Sequence, residues 1–295
     1  MARSEYVLLT AARNEGAYLK NTIEAVAAQV LKPTEWIIVS DGSTDETEEI
    51  VNECATKDGY IRPLCVKGDT DRNFGSKAAC INYAHTRLET QDYRFIGVLD
   101  ADVTFAAIYY KEIMMRFDAN PRLGVAAGTL YNRSRGRFKK VPRSNLFIPG
   151  PVQFFRRECF EEIEGYRRIP TGGIDTVAEV MARMHGWETQ SFEDLEVYHH
   201  RETGTEGRSI WRASFNQGLS DYCLGYHALF FLLREMARTG TQRPLILGSV
   251  CKIVGFLSGM LQCRHFEVPP EFVEFLRREQ LDRILAKCTR SLKGG

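Results

Sequence analysis

The sequence predicts an α/β protein, a sheet flanked by helices with a helical appendage at its C-terminal end. Three observations predict it. Short apolar runs alternate with helix-period segments over the first hundred residues, acidic residues stand where several of those runs stop, and from about residue 210 the pattern turns helical and unusually apolar.

Taken in order, Tyr6–Ala12, Glu35–Ser40, Arg62–Val66 and Phe95–Leu99 read as strands, rich in Val, Ile, Leu and aromatic residues. Between them Tyr18–Ala28, Thr44–Ala55 and Ser76–Leu88 read as helices. Such alternation builds a parallel sheet covered on both faces, because each crossover helix packs back onto it. After about residue 105 the alternation loosens. Leu123–Tyr131 and Pro151–Phe155 read as further strands, Arg156–Glu164 and Thr176–His185 as helices, and the segment from Leu195 as a strand running into polar residues. With no internal repeat in sight, the expected organisation is one domain over residues 1–208 and a helical region over 209–295.

Composition narrows the function. The chain has 295 residues, 44% hydrophobic and 26% charged, close to an average enzyme. Lys plus Arg is 39 and Asp plus Glu is 38, so no broad positive field exists for nucleic acid. The eight cysteines form no CxxC pair, which points to reduced thiols rather than a structural zinc site. Met1–Glu5 runs straight into a strand pattern with no apolar leader segment, so the expected location is cytoplasmic, including the cytoplasmic face of a membrane.

In parallel sheets ligands collect beyond the carboxyl ends of the strands. Trp36–Ser40 ends in Asp41-Gly42-Ser43-Thr44-Asp45. Ser43 and Glu46 read as a capping box opening the next helix, whereas Asp41 is left to accept a hydrogen bond from a nucleobase or ribose. Phe95–Leu99 ends in Asp100-Ala101-Asp102, two carboxylates on one side of an extended backbone that suit one Mg²⁺ or Mn²⁺ ion. The first strand ends in Thr10-Ala11-Ala12-Arg13-Asn14-Glu15-Gly16, with Asn14 a candidate helix cap. Neither GxGxxG nor GxxxxGK[ST] occurs, so dinucleotide and P-loop chemistry lack their main signatures.

The Arg13-Asn14-Glu15 segment, the Asp41–Asp45 segment, Gly75-Ser76-Lys77-Ala78-Ala79 and Asp100-Ala101-Asp102, in that order and spacing, closely resemble family 2 glycosyltransferases of the GT-A fold, over about residues 5–205. The resemblance implies a Rossmann-like mixed sheet and an inverting, metal-dependent transfer from a nucleotide-diphospho-sugar, with a UDP-linked donor expected. By matching position it assigns Asp41 to the nucleobase, Asp100 to ribose and metal, and Asp102 to metal. Thr10, Arg13 and Glu15 fall in the donor-binding set, and Lys77 lies near the nucleotide or is a solvated helix lysine.

The family's general base is the Asp of an ED segment eleven residues before a helix-ending glycine. Asp175 stands eleven residues before Gly186, although Ile174 replaces the Glu. A plain helix N-cap is its other reading, and Glu179 is the reserve base. His199, or His200 on the opposite face, is the expected histidine ligand of the metal; Arg201 and Arg208 are expected at the diphosphate, and Glu202–Arg208 as a lid. No QxxRW follows, so a single-addition enzyme is expected over a processive synthase. The acceptor would be a carbohydrate or lipid-linked carbohydrate, in polysaccharide or glycolipid synthesis. A sugar-phosphate nucleotidyltransferase and a non-catalytic nucleotide-sugar-binding protein are the alternatives.

Two further features bear on membranes. Arg133, Arg135, Arg137, Lys139, Lys140 and Arg143 put six cations in eleven residues, either a solvated loop or a contact for anionic groups. Leu245–Leu261 is the most apolar window, too short and too interrupted by Lys252 to span a bilayer, with Gly248, Lys252, Gly255 and Gly259 on one stripe that permits close helix packing. With Leu229–Leu233 nearby, a peripheral membrane contact of residues 226–261 is expected.

Overall fold

The structure, a computed structural model, describes residues 5–67, 74–134, 136–141, 148–201, 210–238, 245–262 and 264–293. It divides into two compact units: Met1–Arg168 with Ile174–Thr203, and Ile169–Gly173 with Gly204–Gly295.

The first unit contains β1 (Tyr6–Ala12), α1 (Gly16–Ala27), β2 (Glu35–Asp41), α2 (Thr47–Lys57), β3 (Ile61–Val66), α3 (Phe74–Thr86), β4 (Phe95–Leu99), β5 (Val103–Phe105) and α4 (Tyr109–Ala119). Then come β6 (Leu123–Ser134), β7 (Arg137–Lys140), β8 (Val152–Arg156), α5 (Arg157–Glu162), α6 (Ile174–Met184) and β9 (Glu188–His199). The sheet runs β3-β2-β1-β4-β8-β6-β9-β5, with β7 paired to β6. β1 to β4 pair in parallel, as strand–helix alternation requires. β8 then enters antiparallel to β4, so the sheet is mixed.

β1, β2 and β4 are buried nearly throughout, which is why they read as continuous apolar runs. Tyr6, Phe95, Tyr110, Phe117 and Phe154 form a connected aromatic core across them. Close backbone approach matters at Gly97, where a Cβ would lie 2.5 Å from Leu8 Cδ2.

Three local expectations need correction. α2 begins at Thr47 rather than Thr44, and no Ser43–Glu46 capping box forms; Asp45 Oδ1 instead accepts from Thr47 N at 3.1 Å. Arg137–Lys140 is a strand hairpinned onto β6, not a loop, and Phe138 meets the Tyr198 ring edge-on at 5.0 Å. Arg135, Arg143 and the proposed lid 202–208 lie outside the described residues. α4 escapes a sequence reading because its buried stripe, Tyr109, Tyr110, Ile113, Met114 and Phe117, mixes strand-favouring aromatics into a helix.

The second unit holds α7 (Ile210–Cys223), α8 (Ala228–Arg238), α9 (Leu245–Leu261) and α10 (Pro270–Lys293). α7 and α9 touch backbone to backbone: a Cβ at Gly218 would overlap Lys252, and one at Gly255 would overlap Phe215. Gly259 likewise gives room to Tyr222. Thr171 Oγ1 donates to Glu267 Oε2 at 2.9 Å and Ser220 Oγ to Gly172 O at 3.1 Å, tying Ile169–Gly173 into this unit. Among the described residues no helix is long and apolar enough to cross a membrane. The seven described cysteines are free thiols.

Candidate active site

The site lies in the first unit, where β1, β2, β4 and β9 end. Chain reversal after β1 places Asn14 at φ 56°, a left-handed conformation that asparagine tolerates. Its Oδ1 accepts from Thr44 N at 2.8 Å, Glu15 N donates to Thr47 Oγ1 at 2.8 Å, and Gly16 N to Asp45 Oδ2 at 3.0 Å. Asn14 is therefore no helix cap. Ser43, Thr44, Asp45 and Thr47 brace the turn that carries Arg13 and Glu15, and Arg13 Nη1 stands 3.6 Å from Asp41 Oδ2.

β4 ends at Leu99, and β5 starts again at Val103, so Asp100-Ala101-Asp102 forms a short turn between two strands. Asp100 N donates to Pro151 O at 2.9 Å, extending the β4–β8 ladder. Asp102 O accepts from His200 N at 2.9 Å, extending β5–β9. The two carboxylates then diverge. Asp100 Oδ1 takes the Lys77 ammonium from the start of α3. Asp102 Oδ2 is met by His199 Nε2 and by Arg201 Nε, each at 3.1 Å.

Arg201 continues to the Glu15 carboxylate and lies over the Tyr18 ring at 5.3 Å. His199 is oriented through its other nitrogen, Nδ1, 3.2 Å from Asn132 Oδ1. His200 faces away, its Nε2 at 2.8 Å from Thr104 Oγ1. Alternation along β9 separates the two histidines, and the β6–β9 register brings Asn132 level with His199. Asn132 has no sequence signal of its own.

Asp175 occupies the first turn of α6. Its side chain rests against Gly150, where a Cβ would lie 2.5 Å from Oδ2. Its backbone carbonyl accepts from Gln153 Nε2 at 3.3 Å, and Gln153 in turn accepts from the Tyr166 hydroxyl. Asp100 and Asp175 thus stand against opposite ends of the same short segment, Gly150-Pro151. Glu179, the reserve base, is committed elsewhere: it is buried, and its Oε2 accepts from Ile148 N at 2.9 Å. Thr10 also leaves the donor-binding set. It is 0% exposed and its Oγ1 accepts from Trp36 Nε1 at 3.0 Å, so it belongs to the core.

Charge coupling follows this geometry. Burial pushes Glu15 up to about 7, helped by the Asp102 charge and opposed by Arg201. Burial also works to raise Asp102, yet the bonds from His199 and Arg201 outweigh it and hold the carboxyl below its usual range. His199 is drawn above its ordinary value by Asp102, against the effect of burial. Lys77 is raised too: burial opposes its charge, but Asp100 outweighs it, with Asp175 and Asp102 acting in the same direction. One ammonium therefore feels all three aspartates.

Among the described residues no group of three or more His, Cys, Asp or Glu side chains is gathered to hold a metal ion. Of the expected triad, Asp102 and His199 stand together, while Asp100 is turned to Lys77. Asp102 Oδ2 and His199 Nε2, 3.1 Å apart, have the separation of neighbouring corners of an octahedron with bonds of about 2.1 Å. A cation held by one or two protein groups and completed by substrate phosphates fits that pair.

Residues 8–175 match the glycosyl transferase family 2, more than half of the chain. The chain belongs to that family. As a family 2 member it is 30% identical over 144 residues to poly-beta-1,6-N-acetyl-D-glucosamine synthase of Staphylococcus aureus (strain COL), covering 47% of this chain and 32% of that protein. It is 24% identical over 180 residues to the O-antigen biosynthesis protein RfbC of Myxococcus xanthus, 61% of this chain and 13% of that one. The chain therefore spans a third or less of these curated relatives.

Similar solved structures include S. aureus TarS 1–349 in complex with UDP-GlcNAc, at TM-score 0.60 and 16% identity, covering 92% of this chain and 84% of that one. The mannosyltransferase PcManGT from Pyrobaculum calidifontis, in complex with GDP-Man and Mn²⁺, has TM-score 0.58 and 14% identity, covering 97% and 76%. At such identities the likeness establishes the fold, a GT-A-like α/β sheet, for this family 2 chain.

Proposed function

We propose that this chain is an inverting, metal-dependent glycosyltransferase that moves one sugar from a nucleotide-diphospho-sugar, UDP-linked, to an acceptor hydroxyl. The acceptor is a carbohydrate or lipid-linked carbohydrate of polysaccharide or glycolipid synthesis, worked on at the cytoplasmic face of a membrane that the protein contacts peripherally. The observation that carries the reading is the pairing of Lys77 with Asp100 at the end of β4, with the charges of Asp102 and Asp175 acting on the same ammonium. Nucleotide-sugar and Mn²⁺ complexes of similar folds support it.

In this reading Asp41 accepts from the nucleobase, with Arg13 holding its carboxylate. Asp100 accepts from the ribose, and Lys77, released from it, meets the diphosphate. Asp102 and His199 hold Mg²⁺ or Mn²⁺, which when bound neutralises charge on the leaving diphosphate. Arg201 balances Asp102 and Glu15, so that their charges do not repel an incoming anion.

Asp175 takes the proton of the acceptor hydroxyl. That oxygen forms its bond to the anomeric carbon as the carbon–oxygen bond to the diphosphate breaks from the opposite face, inverting the centre. The Gln153 bond to the Asp175 carbonyl and the Gly150 contact fix the base in place.

The test is a panel of nucleotide sugars with and without Mn²⁺, followed by Asp175→Asn. A donor raises the unfolding temperature of both proteins. Transfer falls by about 10²–10⁴-fold in the variant. Wild-type turnover in Asp175→Asn would remove the assignment.

A further inference from the structure

Helices α8 and α9 are inside out. Every exposed residue of α8 is apolar: Ala228, Leu229, Leu232, Leu233, Met236 and Ala237. The three charges of this helix all turn inward. Arg234 Nη2 meets Asp221 Oδ2 at 2.5 Å and Arg234 Nε meets Glu235 Oε1 at 3.0 Å. Arg238 stands 3.6 Å from the same Glu235 oxygen, and Glu235 is 0% exposed.

α9 repeats the arrangement. Its exposed described side chains are Leu247, Val250, Val254, Leu257, Met260 and Leu261, recurring at intervals that form one outward stripe. Its single charge, Lys252, points inward to Glu235 Oε2 at 3.6 Å. Phe231 stacks on Phe256 at 4.3 Å between the two helices.

A helix surrounded by water places charges outward and leucines inward. The reverse is unfavourable twice over there, since charges are desolvated while apolar area stays wet. It becomes favourable where the outer medium is itself apolar. α9 has 17 residues, about 25 Å, short of a bilayer core of about 30 Å. A pair of this length and exposed apolar face suits the surface of a membrane rather than a crossing of it.

Charge chooses the kind of surface. Residues 169–173 and 204–295 contain 13 Lys and Arg against 8 Asp and Glu, a surplus of five, whereas the whole chain is +1. Trp211 and Arg212 on α7, and Arg264 and Phe266 after α9, are exposed residues of the same unit and of the aromatic and cationic types that seat at headgroup level. A second copy would set one positive surplus against another, while an anionic leaflet neutralises it.

We propose that the outer faces of α8 and α9 dock on an anionic lipid bilayer and hold this family 2 chain at the membrane surface. This rests on the peripheral-membrane part of the proposed function but not on the transfer chemistry, because the test contains no donor. The full chain is floated with phosphatidylcholine vesicles with and without phosphatidylglycerol, and Leu232→Glu/Leu257→Glu is compared after circular dichroism shows it folded. The wild type floats with the anionic vesicles, and the double variant partitions more weakly by about tenfold or more. Absence of flotation, equal flotation with neutral vesicles, or flotation unchanged in the double variant overturns the proposal. So does a dimer by light scattering that the double variant splits, because the surface would then serve a second copy.

Discussion

Gly150 and Asp175 are in direct contact, so close that one methyl group on Gly150 would stand 2.5 Å from the Asp175 Oδ2. Real Cβ atoms do not approach that near, so the carboxylate must move. Gly150→Ala is therefore expected to lower kcat by about 10²-fold through misplacement of the base, with donor KM little changed. An unchanged kcat, measured by nucleoside diphosphate release, would mean that the carboxylate position is immaterial.

Thr10 separates a core role from a donor-binding one. Its hydroxyl is the acceptor for the buried Trp36 indole N–H, between β1 and β2. Thr10→Val keeps the shape and leaves that donor unsatisfied, for a loss of about 1–3 kcal/mol in unfolding free energy. Donor affinity stays at the wild-type value. A variant of normal stability with weakened nucleotide-sugar binding would return Thr10 to the site.

Much of this was legible because the signals are local. β1, β2 and β4 are buried on both faces, so their apolar runs stand out, and Asp41 and Asp100 follow directly from the strand ends. Partner choice was not legible. That Asp100 turns to Lys77 while Asp102 turns to His199 depends on how α3 and β9 pack, and neighbouring sequence says nothing of it. Asn132 and Gly150 were missed for the same reason: one acts through the β6–β9 register and the other through the chain entering β8. The glycine stripe of α9 was visible as a pattern, but the inward turn of Arg234, Glu235 and Lys252 needs three-dimensional neighbours.

Asn132 offers a test of the proposed metal pair. Its Oδ1 faces His199 Nδ1 and Asp102 faces Nε2, and the Asp102 carboxylate draws the imidazole above its ordinary pKa against the effect of burial. A cation between Asp102 and His199 would replace the Nε2 proton, while Asn132 keeps the ring oriented. Asn132→Ala is expected to raise the half-saturating Mn²⁺ concentration by about 10–100-fold, as loss of such an orienting bond does elsewhere. Activity saturating at the same Mn²⁺ concentration in both proteins would detach His199 from the metal.

His85 sets a pH dependence of stability away from the site. It lies in the last turn of α3, packed edge-on against Phe160 at 5.1 Å, with Nε2 3.3 Å from the Tyr93 hydroxyl. Burial lowers its pKa, outweighing the Glu161 charge that would raise it, and Arg157 adds to the lowering. Unfolded histidine titrates near pH ~6.5. Below that value the unfolded chain binds a proton that the folded chain refuses, so stability is full above it and is lost as pH falls through the lower folded-state value. His85→Leu removes this loss, and urea midpoints of variant and wild type converge or cross as pH is lowered from about 7.5 to about 5. The opposite contribution of His199 is common to both proteins and cancels in the difference. A difference between the two midpoints that stays constant across that range would show that His85 titrates alike folded and unfolded.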